Sequence, residues 1–487
     1  MLLFRRIVFY LFLTVFLIGA PLIVFYALGY IYKPGEEKGI VKTGVVYLSS
    51  APPGATIYVG KRRYYEKTPA TIRELLAGEY PIKLVLKDYI PWIQSVSVEQ
   101  GKATVLDKIL LRPRKKNMTR LTERRYQRLI PIALTEYLLL ERGTALGQME
   151  VYSWEKDVTW PMLPKSVLSK AKVTKVYTEE DSPYAILRAA DKGGERYLWT
   201  KLSKEREKAQ DITDLFVEKP DKIDWPPGQS RYLFSFHGNY LNRLDLDSMT
   251  VMPKFAEQIQ GYGFSARELY VLQGEDTFAR VDFAGKSVKS LMKDSSLFQI
   301  LFGADDFFSI HVFSDDLILF LGDDGKLVTN RLPYELVERG VLGFDIEKRE
   351  QRLVIWTQDS LGVIDFSSDV KRGDIFQRGP QLRWVYKEGR DIKDAFWVYQ
   401  DAYILFQDRN DVFLLELETL GNPNLYELLA VKKHAPVHYV EKTGRLYYLD
   451  EKSGRLASLE VVPKQALIDI PLPRTEEERK EKKVQGL

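Results

Sequence analysis

The strongest pattern in the chain is an unbroken apolar run near its start. Residues Ile7 to Ile31 read IVFYLFLTVFLIGAPLIVFYALGYI, with no charged side chain. A helix needs about 20 residues to cross a hydrocarbon core, so the run predicts a transmembrane helix over 7–32. Tyr10, Tyr26, Tyr30 and Tyr32 fall toward its ends, where amphipathic rings favour the interface. Pro21 is tolerable inside such a helix. The apolar part of a cleaved signal peptide spans only about 7–15 residues and leads to a small-residue cleavage site. This run is longer and lacks that site, so it reads as an uncleaved signal anchor. Arg5 and Arg6 lie in the stub 1–6. Lys33, Lys38 and Lys42 follow the run, partly offset by Glu36 and Glu37, so the flanking charges nearly balance. The short basic stub predicts a cytoplasmic N-terminus and an extracytoplasmic body, in a single-pass protein of the cell membrane.

After a polar, Gly/Pro-bearing linker over 33–43 the period changes to two. Ile82, Leu84 and Leu86 alternate with Lys83, Val85 and Lys87, the signature of half-buried strands. Val45–Leu48, Thr56–Val59 and the stretch from Ala103 to Leu111 are also strand-like. Gly60, Gly78 and Gly101 punctuate them. The segments VVYLSSAPPGATIYVG, TPATI and LLAGEYPIKLVLKDYIPW occur in order. Over 44–112 they resemble the PEGA domain family, at Pro52, Gly54, Ala55, Tyr58, Thr68, Pro69, Leu75, Gly78, Tyr80 and Tyr89. Pro53 stands where the family has an acidic residue and Asp88 where it has glycine, and Asp also accepts turn conformations. The resemblance implies a small β-sandwich of envelope-associated and surface proteins, serving adhesion or display. Glycine's backbone freedom, proline's fixed turn and half-buried tyrosine rings give these positions a structural account.

Residues 113–130 form a basic connector. Arg112 to Arg128 reads RPRKKNMTRLTERRYQR, with Glu123 its one acidic residue. It reads as a solvated linker; the alternative is contact with an anionic surface. It lacks the interleaved aromatics of a single-strand nucleic-acid groove.

From 131 to 465 one sentence recurs: apolar strand, Gly/Asp/Asn turn, apolar strand. Clear copies begin at Arg231, Arg267, Asp316, Arg352, Ala402 and Gly444, with fainter ones near Tyr137 and Tyr184. Hairpins repeating every ~40–50 residues match propeller blades. The expected fold is therefore an all-β body behind one N-terminal transmembrane helix: a PEGA-type β-sandwich, then a seven-bladed β-propeller. One of the eight hairpins would close the ring; eight blades are the alternative. The tail 466–487 is charged and mixed in sign, and reads as disordered.

Composition narrows the chemistry. In 487 residues there is no cysteine, which excludes disulfides, thiolate nucleophiles and Cys-ligated metals, and there are only four histidines. A net charge of +4 gives no sign of a nucleic-acid partner. Asp305-Asp306, Asp315-Asp316 and Asp323-Asp324 read as turn and strand-edge aspartates rather than a calcium or glycosidase site. His434 and His438 have helical spacing in a β context, so they predict no metal pair. Trp154, Trp160, Trp199, Trp225, Trp356, Trp384 and Trp397 are expected in blade cores. No residue is predicted to be catalytic, cofactor-binding or metal-ligating. The expected function is a non-enzymatic cell-envelope protein whose propeller binds a protein or glycan, with the PEGA-like module as stalk. The alternative is a propeller carbohydrase or lyase acting on envelope polysaccharide.

Overall fold

The computed structural model describes residues 2–27, 29–32, 39–163, 171–204, 209–274, 277–285, 288–292, 300–303, 306–315, 317–330, 335–347, 352–366, 381–417 and 424–464. The charged tail 466–487 lies outside these residues, as do Lys33–Lys38 of the linker and both Asp305 and Asp316.

The apolar run is helical from Leu2 to Ala27, Pro21 included. Phe4–Tyr26 is long and apolar enough to cross a membrane, and none of it is buried in the body. The helix stops short of the expected Tyr32. Gly29, at φ +81°, turns the chain, and Tyr30–Tyr32 pairs antiparallel with Ile40–Lys42. The end of the expected span and the end of the linker thus form a hairpin, because glycine breaks the helix and Tyr-Ile-Tyr favours extended backbone.

Residues 44–110 fold into two packed sheets. Gly44–Ala51 is the centre of one, antiparallel to Ala70–Leu75 and parallel to Ala103–Leu110. The other orders Arg62–Lys67, Thr56–Val59, Gly78–Val85 and Trp92–Val98. Ile82 and Leu84 point inward and Lys83 outward, as the alternation requires. The inward set packs with Val46, Leu48, Ile57, Trp92 and Val96.

Behind this domain, the described strands form eight four-stranded antiparallel units. Blade 1 is Arg128–Pro131, Tyr137–Glu141, Met149–Ser153 and Val158–Pro161. Blades 2 to 7 repeat the order up to Leu425–Ala430. Blade 8 combines His438–Val440, Arg445–Leu449 and Arg455–Glu460 with Met118–Arg125 from the other end of the chain. Each predicted hairpin is the middle pair of one blade. The expected count of seven is therefore corrected to eight among the described residues. Closure consumes no hairpin; it takes a single strand from inside the basic stretch. For the same reason 113–130 is not a linker, since Met118–Arg125 and Arg128–Pro131 are propeller strands. An outermost strand is wet on both faces, so it carries no apolar alternation to read.

The core explains the ring. Eight apolar clusters each join two consecutive blades. The last unites Leu138, Leu140 and Tyr152 of blade 1 with Tyr447, Leu449 and Leu456 of blade 8. Middle strands are buried on both faces, as in Tyr403–Asp408, so they read as apolar runs. Trp160, Trp199, Trp225, Trp356 and Trp397 are buried in these seams, with Trp154 and Trp384 packed at their margins.

Blades 4 and 5 approach most closely. Their first strands pair in parallel, Gly261 with Phe308 and Tyr262 with Ser309. A Cβ on Gly263 would lie 1.7 Å from the Ile310 carbonyl oxygen, backbone that cannot rotate aside. Gly263→Val is expected to lower stability by about 3 kcal/mol or more through overpacking. Urea unfolding of the detergent-solubilised chain measures this, and an unchanged midpoint would show that the blades are not held in register here.

Candidate functional site

The PEGA-like positions make a structural knot. Thr68, 3% exposed, shares a hydrogen bond with the Ser50 hydroxyl at 2.6 Å, and its Oγ1 accepts the Ala55 N–H at 3.0 Å. The Gly54 N–H donates to the Thr68 carbonyl at 2.7 Å, with Gly54 at φ +90°. The turn from Pro52 to Ala55 is thereby bound to Thr68–Pro69. Asp88 adopts φ +66°, the conformation that lets it stand where glycine is usual. Tyr58, Tyr80 and Tyr89 are half-buried, and Gly78 starts a strand.

This domain stands lengthwise between the helix and the ring. At one end the Thr43 N–H and hydroxyl both donate to the Gly29 carbonyl at 2.8 Å. At the other end Ala51 and Leu110 enter the core shared by blades 7 and 8. The strand between them, Gly44–Ala51, has eight residues, a length of roughly 26 Å at the usual rise.

The junction centres on Glu416, 5% exposed, at the end of the third strand of blade 7. Its carboxylate accepts the Trp92 indole N–H at 3.0 Å, the Tyr403 hydroxyl at 3.1 Å, the Asn424 amide at 2.9 Å and the Tyr426 hydroxyl at 3.1 Å. Tyr403 also accepts the Leu110 N–H at 2.9 Å. The Arg112 guanidinium lies over the Tyr426 ring, 3.5 Å from its centroid. Several charge-assisted bonds satisfy an ion that burial alone would make costly. No periodicity flags Glu416, whose partner Trp92 is 324 residues away.

Other charges of the basic stretch are also structural. Arg124 pairs with buried Glu150, which accepts the Tyr126 hydroxyl at 2.7 Å. Arg128 reaches buried Glu141 at 3.3 Å. Arg114, Lys115 and Lys116 stay exposed.

The first strands of the blades line the central channel, and carboxylates gather there. Burial and neighbouring Asp224 push Glu179 up to about 8. Burial pushes Asp394 up to about 7 and Asp345 up to about 6, against the Ala395 and Trp397 N–H groups that bond them. Glu180 is raised too. Asp224 is held differently, by Lys222 at 3.0 Å and by the Tyr262 hydroxyl. His311 is lowered to about 4. It touches solvent although protein surrounds it on every side, as a group facing a channel does. These residues were missed from the sequence because each blade contributes only one or two of them.

The described aspartates of these pairs, Asp306, Asp315, Asp323 and Asp324, do not converge on a site. Lys326 bonds Asp306 at 2.7 Å, and its N–H donates to Asp324 at 2.9 Å in the hairpin turn. Asp315 faces Arg280 at 3.5 Å. His438 begins a first strand and is lowered to about 4 by burial, while His434 lies in the loop before it. The helical spacing of these two has no helix to act on. Among the described residues no three His, Asp or Glu side chains are placed to hold a metal.

The two faces of the ring differ. The PEGA-type domain touches the first turn of blade 7, where Lys108 donates to the Gln400 carbonyl at 3.0 Å, and the third strand's end at Glu416. A cleft of about 440 Å³ opens beside the second turn of blade 7 and the link to blade 8. Successive turns alternate between faces in antiparallel blades, so the cleft lies on the face opposite the docked domain. Lys393, Asp394, Gln407, Arg409, Lys433 and His434 line it.

Two outcomes follow. Glu416→Ala strands four donors, and unfolding of the full chain should show a loss of about 3 kcal/mol; a loss within error would remove Glu416 as the hub of the junction. The raised channel carboxylates hold protons more tightly when folded than when unfolded. Their contribution is full below the unfolded carboxylate range and is lost as pH rises through about 6, 7 and 8. The thermal midpoint should fall from pH 5 to 8.5, and Glu179→Gln should flatten the upper part of that fall. A profile that Glu179→Gln leaves unchanged would count against the channel assignment.

Comparison with known proteins agrees with the smaller domain. Residues 43–113 match the PEGA domain. No curated protein matches the chain. Among solved structures, the Dos1 propeller is similar at TM-score 0.44 and 13% identity, over 71% of this chain and 94% of that one. Hsv2 of Kluyveromyces lactis is similar at TM-score 0.41 and 9% identity, over 62% and 98%. The Cps50 (Swd1) β-propeller domain of Myceliophteria thermophila is similar at TM-score 0.36 and 12% identity, over 71% and 100%. The protein therefore carries a PEGA domain between an N-terminal apolar helix and a β-propeller.

Proposed function

We propose that this chain is a membrane-anchored binding platform. The helix anchors it, the PEGA domain acts as a rigid strut, and the propeller offers its far face to an envelope protein or glycan outside the cytoplasm. One observation carries this reading: docking at Glu416 occupies one face of the ring and leaves the opposite face, with its cleft, turned away from the anchor. A module fixed at both ends also fits a strut better than a flexible tether. Exposed Arg114, Lys115 and Lys116 add a contact for an anionic surface. Nucleic acid is not among the ligands this reading includes.

A carbohydrase or lyase reading draws on the channel carboxylates, because raised carboxylic acids suit general acid chemistry. They are spread over the first strands of several blades, and this spread favours the platform. The Glu179→Gln/Asp394→Asn pair separates the two: reducing-end or unsaturated-sugar release from envelope polysaccharide, abolished in the pair, would establish the enzyme.

Trypsin treatment of intact cells tests the placement. The body should be cleaved while a cytosolic control stays whole. Protection of both would put the propeller inside and overturn the platform as proposed.

A further inference from the structure

The far-face cleft has a composition that selects among ligands. Its lining carries Lys393, Arg409, Lys433 and His434 against Asp391 and Asp394. Lys393 is committed to Asp391 at 2.7 Å. Asp408, next to Arg409, spends its carboxylate on the Arg390 and Asp391 N–H groups. Arg409 and Lys433 are exposed, and no described carboxylate pairs with them.

The loops that carry these cations are held in place. Arg409 sits at φ +55° and His434 at φ +60°. The Arg409 N–H donates to the Asp391 carbonyl at 3.0 Å, and the Val431 N–H to the Asn410 carbonyl at 2.7 Å. Gln407, 2% exposed, clips both loops from below. Its amide donates to the Arg409 carbonyl at 2.9 Å and to the Ala435 carbonyl at 3.0 Å. The backbone that carries the cations is therefore a fixed frame, so a ligand has only their side chains left to order.

The remaining lining mixes polar groups with apolar surface. Asn410 supplies an amide, Ala435 and Pro436 are apolar, and among the described residues no Phe, Tyr or Trp lines the cleft. Such a cleft offers cations and an amide to charged and hydroxyl groups, and apolar surface to the carbon face of a sugar ring. About 440 Å³ lies in the range of small-ligand sites, roughly 300–1,000 Å³.

We infer that this cleft binds a carboxylate-bearing sugar unit of an acidic glycan, with Arg409 and Lys433 taking the carboxylate and Asn410 and His434 the hydroxyls. Arg suits a carboxylate because its planar fork bonds both oxygens. The inference deepens the platform reading and rests on it for the side from which the glycan arrives.

The test uses the full chain in lipid nanodiscs and calorimetric titration with three probes: tetragalacturonate, neutral maltotetraose, and a glycerol-phosphate oligomer of matched charge. Tetragalacturonate should bind, more weakly as salt rises, and maltotetraose should not. Arg409→Ala/Lys433→Ala should weaken binding about tenfold or more, while Lys219→Ala, an exposed lysine of another blade, should leave it unchanged. A melting curve on each variant confirms the fold. Equal binding of maltotetraose, preference for the phosphate oligomer, no binding of any probe, or full affinity in the double variant would each overturn the inference. None of these results bears on the trypsin experiment, so the platform reading stands or falls separately.

Discussion

Every blade of this propeller is apolar on both faces, and the rest of the structure follows from that. A strand such as Tyr403–Asp408 is buried on both sides, so one blade alone would expose a sheet of core to water. Each therefore needs two neighbours, and a row of blades has two bad ends unless it closes. Closure comes from Met118–Arg125, which pairs with Arg455–Glu460 across nearly the whole propeller sequence. The two ends of the domain become one blade, and the last seam joins blade 8 to blade 1.

Closure also fixes what lies before the ring. The closing strand follows the PEGA domain after a short basic link, so that domain is drawn against the neighbouring blade. There Glu416 receives Trp92 while its other acceptor sites are filled from blade 7. A buried carboxylate with this many donors resists displacement, because each broken bond leaves a desolvated group. The PEGA-type module thus has a defined attachment to the ring. Its strands run from the Gly29–Thr43 contact to the ring, and its position assigns the two faces different surroundings.

Charged groups gather where the blades leave space. The channel collects acidic groups whose enclosure, and then mutual repulsion, raises their proton affinity. The far-face cleft collects cations on loops clipped by Gln407. Neither needs a motif, since a ring places side chains from distant strands side by side.

The sequence by itself determined the apolar helix, the PEGA domain and the eight hairpins. These are local features: an apolar run, turn residues at fixed spacing, and strands flanking a Gly/Asp turn report their burial within a few residues. It also placed the tryptophans in blade cores, and it read Asp323-Asp324-Gly325 as a turn, which the Lys326 contacts bear out. Only the tertiary structure decided that part of a basic stretch is the closing strand, that the ring has eight blades among the described residues, and that Glu416 joins the two domains. An outermost strand has no buried face to leave a period. A contact across 324 residues leaves no spacing either. The channel carboxylates and the cleft cations were illegible for the same reason: their neighbours are neighbours in the ring and not along the chain.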